Sequence, residues 1–313
     1  MYVGKDAFEQ QLDREQAKAL FHKSVARVEV ETHSFCNRRC NYCPNVSGDR
    51  LGENKRISLK HWQMILANLS EIDYEKNLVF QSYNEPLADR NILECITQAR
   101  AACPKARIMI YTNGDYLDQD YLEELSYAGL DYMHVSIHTR YNGKYSEVDS
   151  LNLIAKLIKR TNCDISFKSF LPNKHIVANI PHDRIEIDVR AINFFDEGNN
   201  RGGLVDSVPK PPLRTAPCHF PFAHFYVGFT GNVIPCCHVR SDVEEHAHYV
   251  WGNLSEYASI FQAWASEQGA QWRRHLISPE PKNAPCDTCS ASFLSNDPKV
   301  LHQVQLAWER HVK

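Results

Sequence analysis

Between residues 25 and 192 the chain switches repeatedly between two hydrophobic rhythms. Short runs rich in β-branched and aromatic residues occupy 25–31, 77–82, 106–112, 131–137, 163–170 and 184–192. Between the first five of them, apolar residues recur at helical spacing over 58–71, 89–102, 118–128 and 148–161. Strands alternating with helices at this spacing predict βαβ units and a parallel sheet. Six such strands form an α/β fold of the open, partial (β/α)6 barrel kind. The gap from Leu171 to Asp183 holds Pro172 and Pro181 and reads as a loop. Residues 6–23 form an amphipathic helix outside the series.

The rhythm stops at 198–217, where Gly198, Gly202, Gly203, Pro209, Pro211, Pro212 and Pro217 make a linker-like segment. Beyond it, His224 to Val233 carries Gly231-Asn232 between alternating runs and reads as a hairpin. A helical stretch follows around 255–276. The division expected is an N-terminal helix (1–24), a barrel (25–197), a linker (198–217) and a small α+β module (218–313).

Composition narrows the function classes. The 313 residues carry a net charge of −3, and basic residues occur only in short pairs such as Arg38-Arg39 and Arg273-Arg274. That argues against a nucleic-acid footprint. No apolar run approaches the ~20 residues of a membrane span, so no membrane partner is expected. Met1 to Gln10 lacks the pattern of a secretory signal. Eleven cysteines without an export signal read as thiolate metal ligands in a reducing cytoplasm, not as disulfides.

Two cysteine sets stand out. Cys36, Cys40 and Cys43 follow the first strand run as Cys-x3-Cys-x2-Cys, at the strand end where parallel α/β sheets bind ligands. Three thiolates can hold a cubane iron–sulfur cluster and leave one iron open to a chelating molecule. A structural zinc usually takes four ligands, and only His33 lies close by. The second set is Cys218, Cys236, Cys286 and Cys289, a hairpin pair plus a Cys-x2-Cys knuckle. Four thiolates suit zinc or a cubane cluster, and spacing does not choose. Cys95, Cys103 and Cys163 fall in helix or strand patterns and read as packing.

The triplet, with Tyr42 before its last cysteine, resembles the radical S-adenosylmethionine (radical SAM) superfamily, whose fold is a partial TIM-like barrel. The second set, with Gly231 ahead of Cys236 and Trp251-Gly252-Asn253-Leu254 downstream, is similar to the Twitch module, a shortened SPASM extension with one auxiliary cluster. The resemblance covers most of 25–295. It implies a [4Fe–4S] cluster with an open iron for SAM, an auxiliary [4Fe–4S] cluster, and Tyr42 near the adenine. Ser82-Tyr83-Asn84-Glu85-Pro86 stands where relatives carry a Gly-Gly-Glu-Pro-like motif. Asn84 and Glu85 are thereby implied as contacts to the SAM amino group, although both glycines are replaced. Ser136 on the fourth strand and Lys168 on the fifth are implied as ribose or carboxylate contacts. Asn200-Arg201-Gly202-Gly203 resembles a segment found after the sixth strand in this group. His33, His134, His138 and His238 read as structural or supporting.

The implied reaction is reductive cleavage of SAM to a 5′-deoxyadenosyl radical, which takes a hydrogen atom from a substrate C–H. The product radical is then oxidised, or it is quenched by a thiol, which gives epimerisation. Cys237, directly after Cys236, is the candidate hydrogen donor; an exchanged cluster ligand and an inert packed thiol are the other readings. With about 24 residues ahead of the first strand, the expected substrate is a small polar natural-product intermediate of aminoglycoside or sugar type, rather than a peptide in a peptide maturase. A flavodoxin- or ferredoxin-type electron donor is implied. The readings from other classes are a non-catalytic zinc protein and an iron–sulfur electron carrier.

Overall fold

The computed structural model describes residues 2–46, 50–139, 144–208, 210–291 and 298–313. Pro209 of the linker-like segment lies outside them. Helix α1 (Arg14–Ser24) starts at a reciprocal capping box between Asp13 and Gln16. The strands β1 (Arg27–Val30), β2 (Asn77–Phe80), β3 (Arg107–Thr112) and β4 (Tyr132–Ile137) then pair in parallel in chain order. Helices α2 (Leu59–Glu71), α3 (Ile92–Ala102) and α4 (Gln119–Ala128) connect them. The side chains of Ser58 and Asp118 cap α2 and α4. Gly129 ends α4 at φ 100°, and a Cβ there would press on Arg100.

After α5 (Glu147–Thr161) the chain departs from the expected pattern. It runs to the far edge and returns as an antiparallel meander of β5 (Ser166–Leu171), β6 (His175–Ile180) and β7 (Glu186–Ile192). Of these three strands only β7 meets the barrel, pairing in parallel with β4 from Tyr132↔Glu186 to Ile137↔Ala191. The run at 163–170 is therefore an exposed edge strand and not the fifth barrel strand. The expected loop at 171–183 contains β6. Its two prolines are punctuation: Pro172 precedes Asn173 at φ 60° in a turn closed by Lys174 N–H to the Leu171 carbonyl, 3.0 Å. Inside it Ile176, Ala178 and Ile180 alternate into the core.

The remaining parallel strand comes from beyond the linker-like segment. β8 (His224–Val227) pairs with the free side of β1, from Arg27↔His224 to Val30↔Val227. β9 (Asn232–Ile234) and β10 (Gly252–Asn253) extend the sheet in antiparallel fashion. The order is β10-β9-β8-β1-β2-β3-β4-β7-β6-β5, so six parallel strands, β8-β1-β2-β3-β4-β7, form the partial barrel. The expected hairpin at 224–233 is β8–β9. Its turn needs Gly231, at φ 86°, because a Cβ there would collide with the His61 ring.

Side chains alternate across this sheet. Val28, Val30, Leu78, Phe80, Ile108, Ile110, Met133 and Val135 pack into the main apolar core. Val79, Met109 and Tyr132 make a separate small cluster, with Tyr111 against it. Three further short helices, α6 (Phe194–Glu197), α7 (Phe220–Ala223) and α8 (Ile260–Trp264), precede α9 (Glu267–Ile277) and α10 (Pro298–His311). Phe21 of α1 meets Phe225, Phe261 and Trp264 edge-on at 5.3–5.8 Å. Among the described residues, no helix is long and apolar enough to cross a membrane.

Candidate active site

A cavity of about 300 Å³ opens beyond the carboxyl ends of β2, β3, β4 and β7. Cys36, Cys40, Cys43 and Tyr42 line it, and so do Asn84, Glu85 and Ser136. Lys168 does not. It is exposed on β5, where the register against β6 shifts, because the strand that carries it left the barrel for the sheet edge.

Main-chain bonds shape the cysteine loop: Cys36 N–H to Arg50 O (2.9 Å), Cys43 N–H to Cys40 O (2.9 Å) and Val46 N–H to Cys43 O (3.1 Å). The Arg38 guanidinium grips both oxygens of Asp115 at 2.6 Å and donates to the His138 carbonyl at 3.0 Å. Glu31, 2% exposed, accepts from Arg50 and from Tyr83 N–H, both at 2.9 Å. Asn45 donates to the Tyr83 carbonyl at 2.7 Å.

Glu85 is held at both oxygens by its own chain. The Thr112 hydroxyl and Leu87 N–H donate to Oε1, and Asn113 N–H donates to Oε2 at 2.6 Å. Burial lifts its carboxyl to about 7, although these donors pull the other way. Asn84 is the opposite case: 8% exposed, with neither amide atom partnered. Tyr42 stacks on Phe194 at 4.6 Å, and its hydroxyl lies 2.9 Å from His138 Nδ1. Burial lowers His138 to about 3 and His134 to about 4, so both rings are uncharged at neutral pH. The thiols of Cys36 and Cys40 are raised to about 12 and about 11, again by burial.

Cys218, Cys236, Cys286 and Cys289 line a second, small cavity with Phe220, Trp272 and Leu276. The knuckle closes through Cys289 N–H to Cys286 O at 3.2 Å. All seven thiols are free. Among the described residues no three His, Cys, Asp or Glu groups converge as a single ion requires. A cubane cluster takes one thiolate per corner iron, so its ligands stand apart. Cys237 lines neither cavity. It packs against Tyr226, Ile234 and Val239, and the Tyr83 hydroxyl donates to its carbonyl at 2.9 Å.

Residues 199–202 bridge the two cavities. The amides of Asn199 and Asn200 donate to Ser290 (3.0 Å) and Thr288 (2.7 Å) beside the knuckle. A Cβ on Gly202, at φ 65°, would crowd Pro285 and His246. Arg201 lines the first cavity and lies 3.2 Å from His238 Nδ1. A second tie is ionic: Arg240 donates to Pro44 O (3.0 Å) and pairs with Asp242, which also pairs with Arg50. Sequence reading missed Glu31, Arg50 and Arg240 as site-shaping residues. The signal was faint: a charged residue in a strand run, and arginines without a periodic pattern.

Comparison with known proteins agrees with this geometry. A model of the radical SAM superfamily matches residues 30–170, and a model of an iron–sulfur cluster-binding domain matches 218–290. The S-adenosyl-L-methionine-dependent 2-deoxy-scyllo-inosamine dehydrogenase of Niallia circulans is 26% identical over 258 residues, 81% of this chain and 88% of that protein. The GTP 3′,8-cyclase of Chlorobaculum tepidum is 28% identical over 157 residues, covering 48% of this chain and 46% of that one. The crystal structure of BtrN in complex with AdoMet and 2-DOIA superposes with a TM-score of 0.62 over 87% of this chain and 96% of that one, at 24% identity. Residues 30–170 are thus a radical SAM domain, and residues 218–290 a SPASM-type iron–sulfur cluster-binding domain.

Proposed function

We propose that this radical SAM enzyme oxidises a secondary alcohol of a small hydroxylated ring, of cyclitol or sugar type, to the ketone. The name of the Niallia relative, a dehydrogenase of 2-deoxy-scyllo-inosamine, supports the substrate class. When bound, an open-iron cluster supplies the electron that splits SAM, and an auxiliary cluster supplies an acceptor for the second electron of the oxidation.

In this reading Cys36, Cys40 and Cys43 hold the first cluster, and Cys218, Cys236, Cys286 and Cys289 hold the second. The thiols sit in two lined cavities, which fits both groups. Asn84 presents its unpartnered amide to the amino-acid end of SAM. Glu85, with its oxygens already taken, fixes the loop that aims Asn84. Tyr42 and Phe194 flank the adenine, and Ser136 meets the ribose. The barrel division at 25–197 and the module at 218–313 are retained, with β8 of the module completing the barrel sheet. An electron donor of flavodoxin or ferredoxin type in the cytoplasm completes the scheme.

The observation that carries oxidation over epimerisation is the position of Cys237. A hydrogen-donating thiol must reach the substrate carbon, and Cys237 is not among the residues that line the cavity but packs with Tyr226, Ile234 and Val239. The test is anaerobic reconstitution followed by SAM, dithionite and a panel of hydroxylated rings. About eight irons per chain, 5′-deoxyadenosine and a ketone product are expected. Zinc in place of iron without SAM cleavage, or a product inverted at carbon and not oxidised, overturns the reading.

A further inference from the structure

The two cysteine sets differ in the charges placed around them. Near the first, Arg38, Arg50 and Arg240 each pair with a carboxylate: Asp115, Glu31 and Asp242. Beside the second, Arg214 and Lys282 are 6% and 2% exposed, and neither has an Asp or Glu oxygen within 4.0 Å among the described residues. Arg214 lines the small cavity with the four thiols. Its guanidinium donates to the Ala216, Pro217 and Ala291 carbonyls at 2.6–2.9 Å, which wedges it between the segments that carry Cys218 and Cys289. The Lys282 ammonium donates to the Ser278 and Glu280 carbonyls, and its charge is felt at Cys218 and Cys286. Main-chain bonds tie the two cations together: Lys282 N–H to Arg214 O (2.8 Å) and Arg214 N–H to Asp287 O (2.7 Å), inside the knuckle. The carboxylates on this stretch, Glu280 and Asp287, are exposed and half-buried, where water screens them. Arg201 favours neither set, since its charge is felt at Cys43 and Cys236 alike.

Burying two cations away from any carboxylate costs free energy, and here the second thiolate set stands opposite them. Four thiolates on a cubane cluster give it a net negative charge, and an added electron deepens that charge. A fixed cation at a buried site stabilises the more negative state and so raises the reduction potential. An Arg does not lose its proton in a protein, which makes the bias permanent. We infer that Arg214, seconded by Lys282, raises the reduction potential of the auxiliary cluster and thereby fits that site to take up an electron. This rests on the proposed function above, in which the second cysteine set holds the electron acceptor. It adds a role for two residues that ligate nothing.

The test is an anaerobic redox titration followed by electron paramagnetic resonance. It uses full-length chains carrying Cys36→Ala, Cys40→Ala and Cys43→Ala, so that the second cluster alone reports. About four irons per chain are expected after reconstitution. In this background Arg214→Gln shifts the electron-accepting equilibrium at least about tenfold, a fall in midpoint of about 59 mV or more for a one-electron couple. Arg214→Lys keeps the charge with fewer donors, and its midpoint stays closer to the parent than to Arg214→Gln. Lys282→Met, a second variant should the first misfold, moves the midpoint down as well. An unchanged midpoint in a variant that keeps its iron, an equal fall in Arg214→Lys, or loss of iron from both Arg214→Gln and Lys282→Met overturns the inference. The last outcome would leave the two cations a purely structural role. Zinc in the parent chain overturns this inference and the proposed function together. An inverted product from the complete enzyme overturns the oxidation reading alone and leaves the midpoint result standing.

Discussion

Asn84 and Glu85 are adjacent in sequence and opposite in chemistry. One is buried with nothing to bond, and the other is buried with every oxygen engaged. Asn84→Ala removes the unpartnered amide without disturbing Glu85. It is expected to weaken SAM binding about tenfold or more while leaving apoprotein stability unchanged, as read by SAM titration and thermal melts. Glu85 should show itself through pH. The unfolded carboxyl loses its proton near 4.5, whereas the folded one keeps it to about 7. Its contribution to stability is therefore full below pH 4.5 and declines as pH rises to about 7. Melting curves between pH 5 and 8 should fall less steeply for Glu85→Gln than for the parent; identical slopes would remove Glu85 as the source. Cys36, Cys40 and Cys43 were legible from their spacing, and Tyr42, Asn84, Glu85 and Ser136 from the family resemblance; these seven all line one cavity. The hold on both Glu85 oxygens was not, because its partners Thr112 and Asn113 lie 27 and 28 residues away.

At the scale of elements, the strand–helix rhythm located β1 to β4 and β7 and misplaced the segment between α5 and β7. Two prolines outweighed a six-residue alternation, His-Ile-Val-Ala-Asn-Ile, that was present in plain view. Lys168 was misjudged for the same reason, since its role depended on which strand became the fifth. The correction has a measurable side. Ile176 of β6 is fully buried and Phe170 of β5 is about half exposed. Ile176→Ala should cost about 2–5 kcal/mol in denaturant unfolding. Phe170→Ser should stay within about 0.5 kcal/mol. Similar costs at both positions would mean that β5 is covered in solution.

For the whole molecule, the composition break at 198–217 is real in sequence, yet the sheet and an ionic network run across it. Glu31, Arg50, Asp242 and Arg240 connect the first strand, the triplet loop and the segment after Cys236. No local pattern announces such a network, because apart from the Arg240–Asp242 pair its contacts span 19 to 196 residues. Arg240→Met should destabilise the protein by about 3–5 kcal/mol, since it strips one partner from buried charge. It should also loosen both cysteine sites together. Iron content after reconstitution and the unfolding midpoint report this jointly; loss confined to the second site would place the network wholly within the C-terminal part.

The pairing of β1 with β8 also sets an order of events during synthesis. β1 emerges from the ribosome early, but one of its two neighbours is made almost 200 residues later. Until then a central strand of the barrel stands with an open hydrogen-bonding edge, the kind of surface that recruits wrong partners. A sheet that waits for so distant a contact closes slowly. The nascent barrel therefore depends on the segment ahead of Cys236 and Cys237 to become whole, so cluster-ready geometry arrives late in the life of each chain.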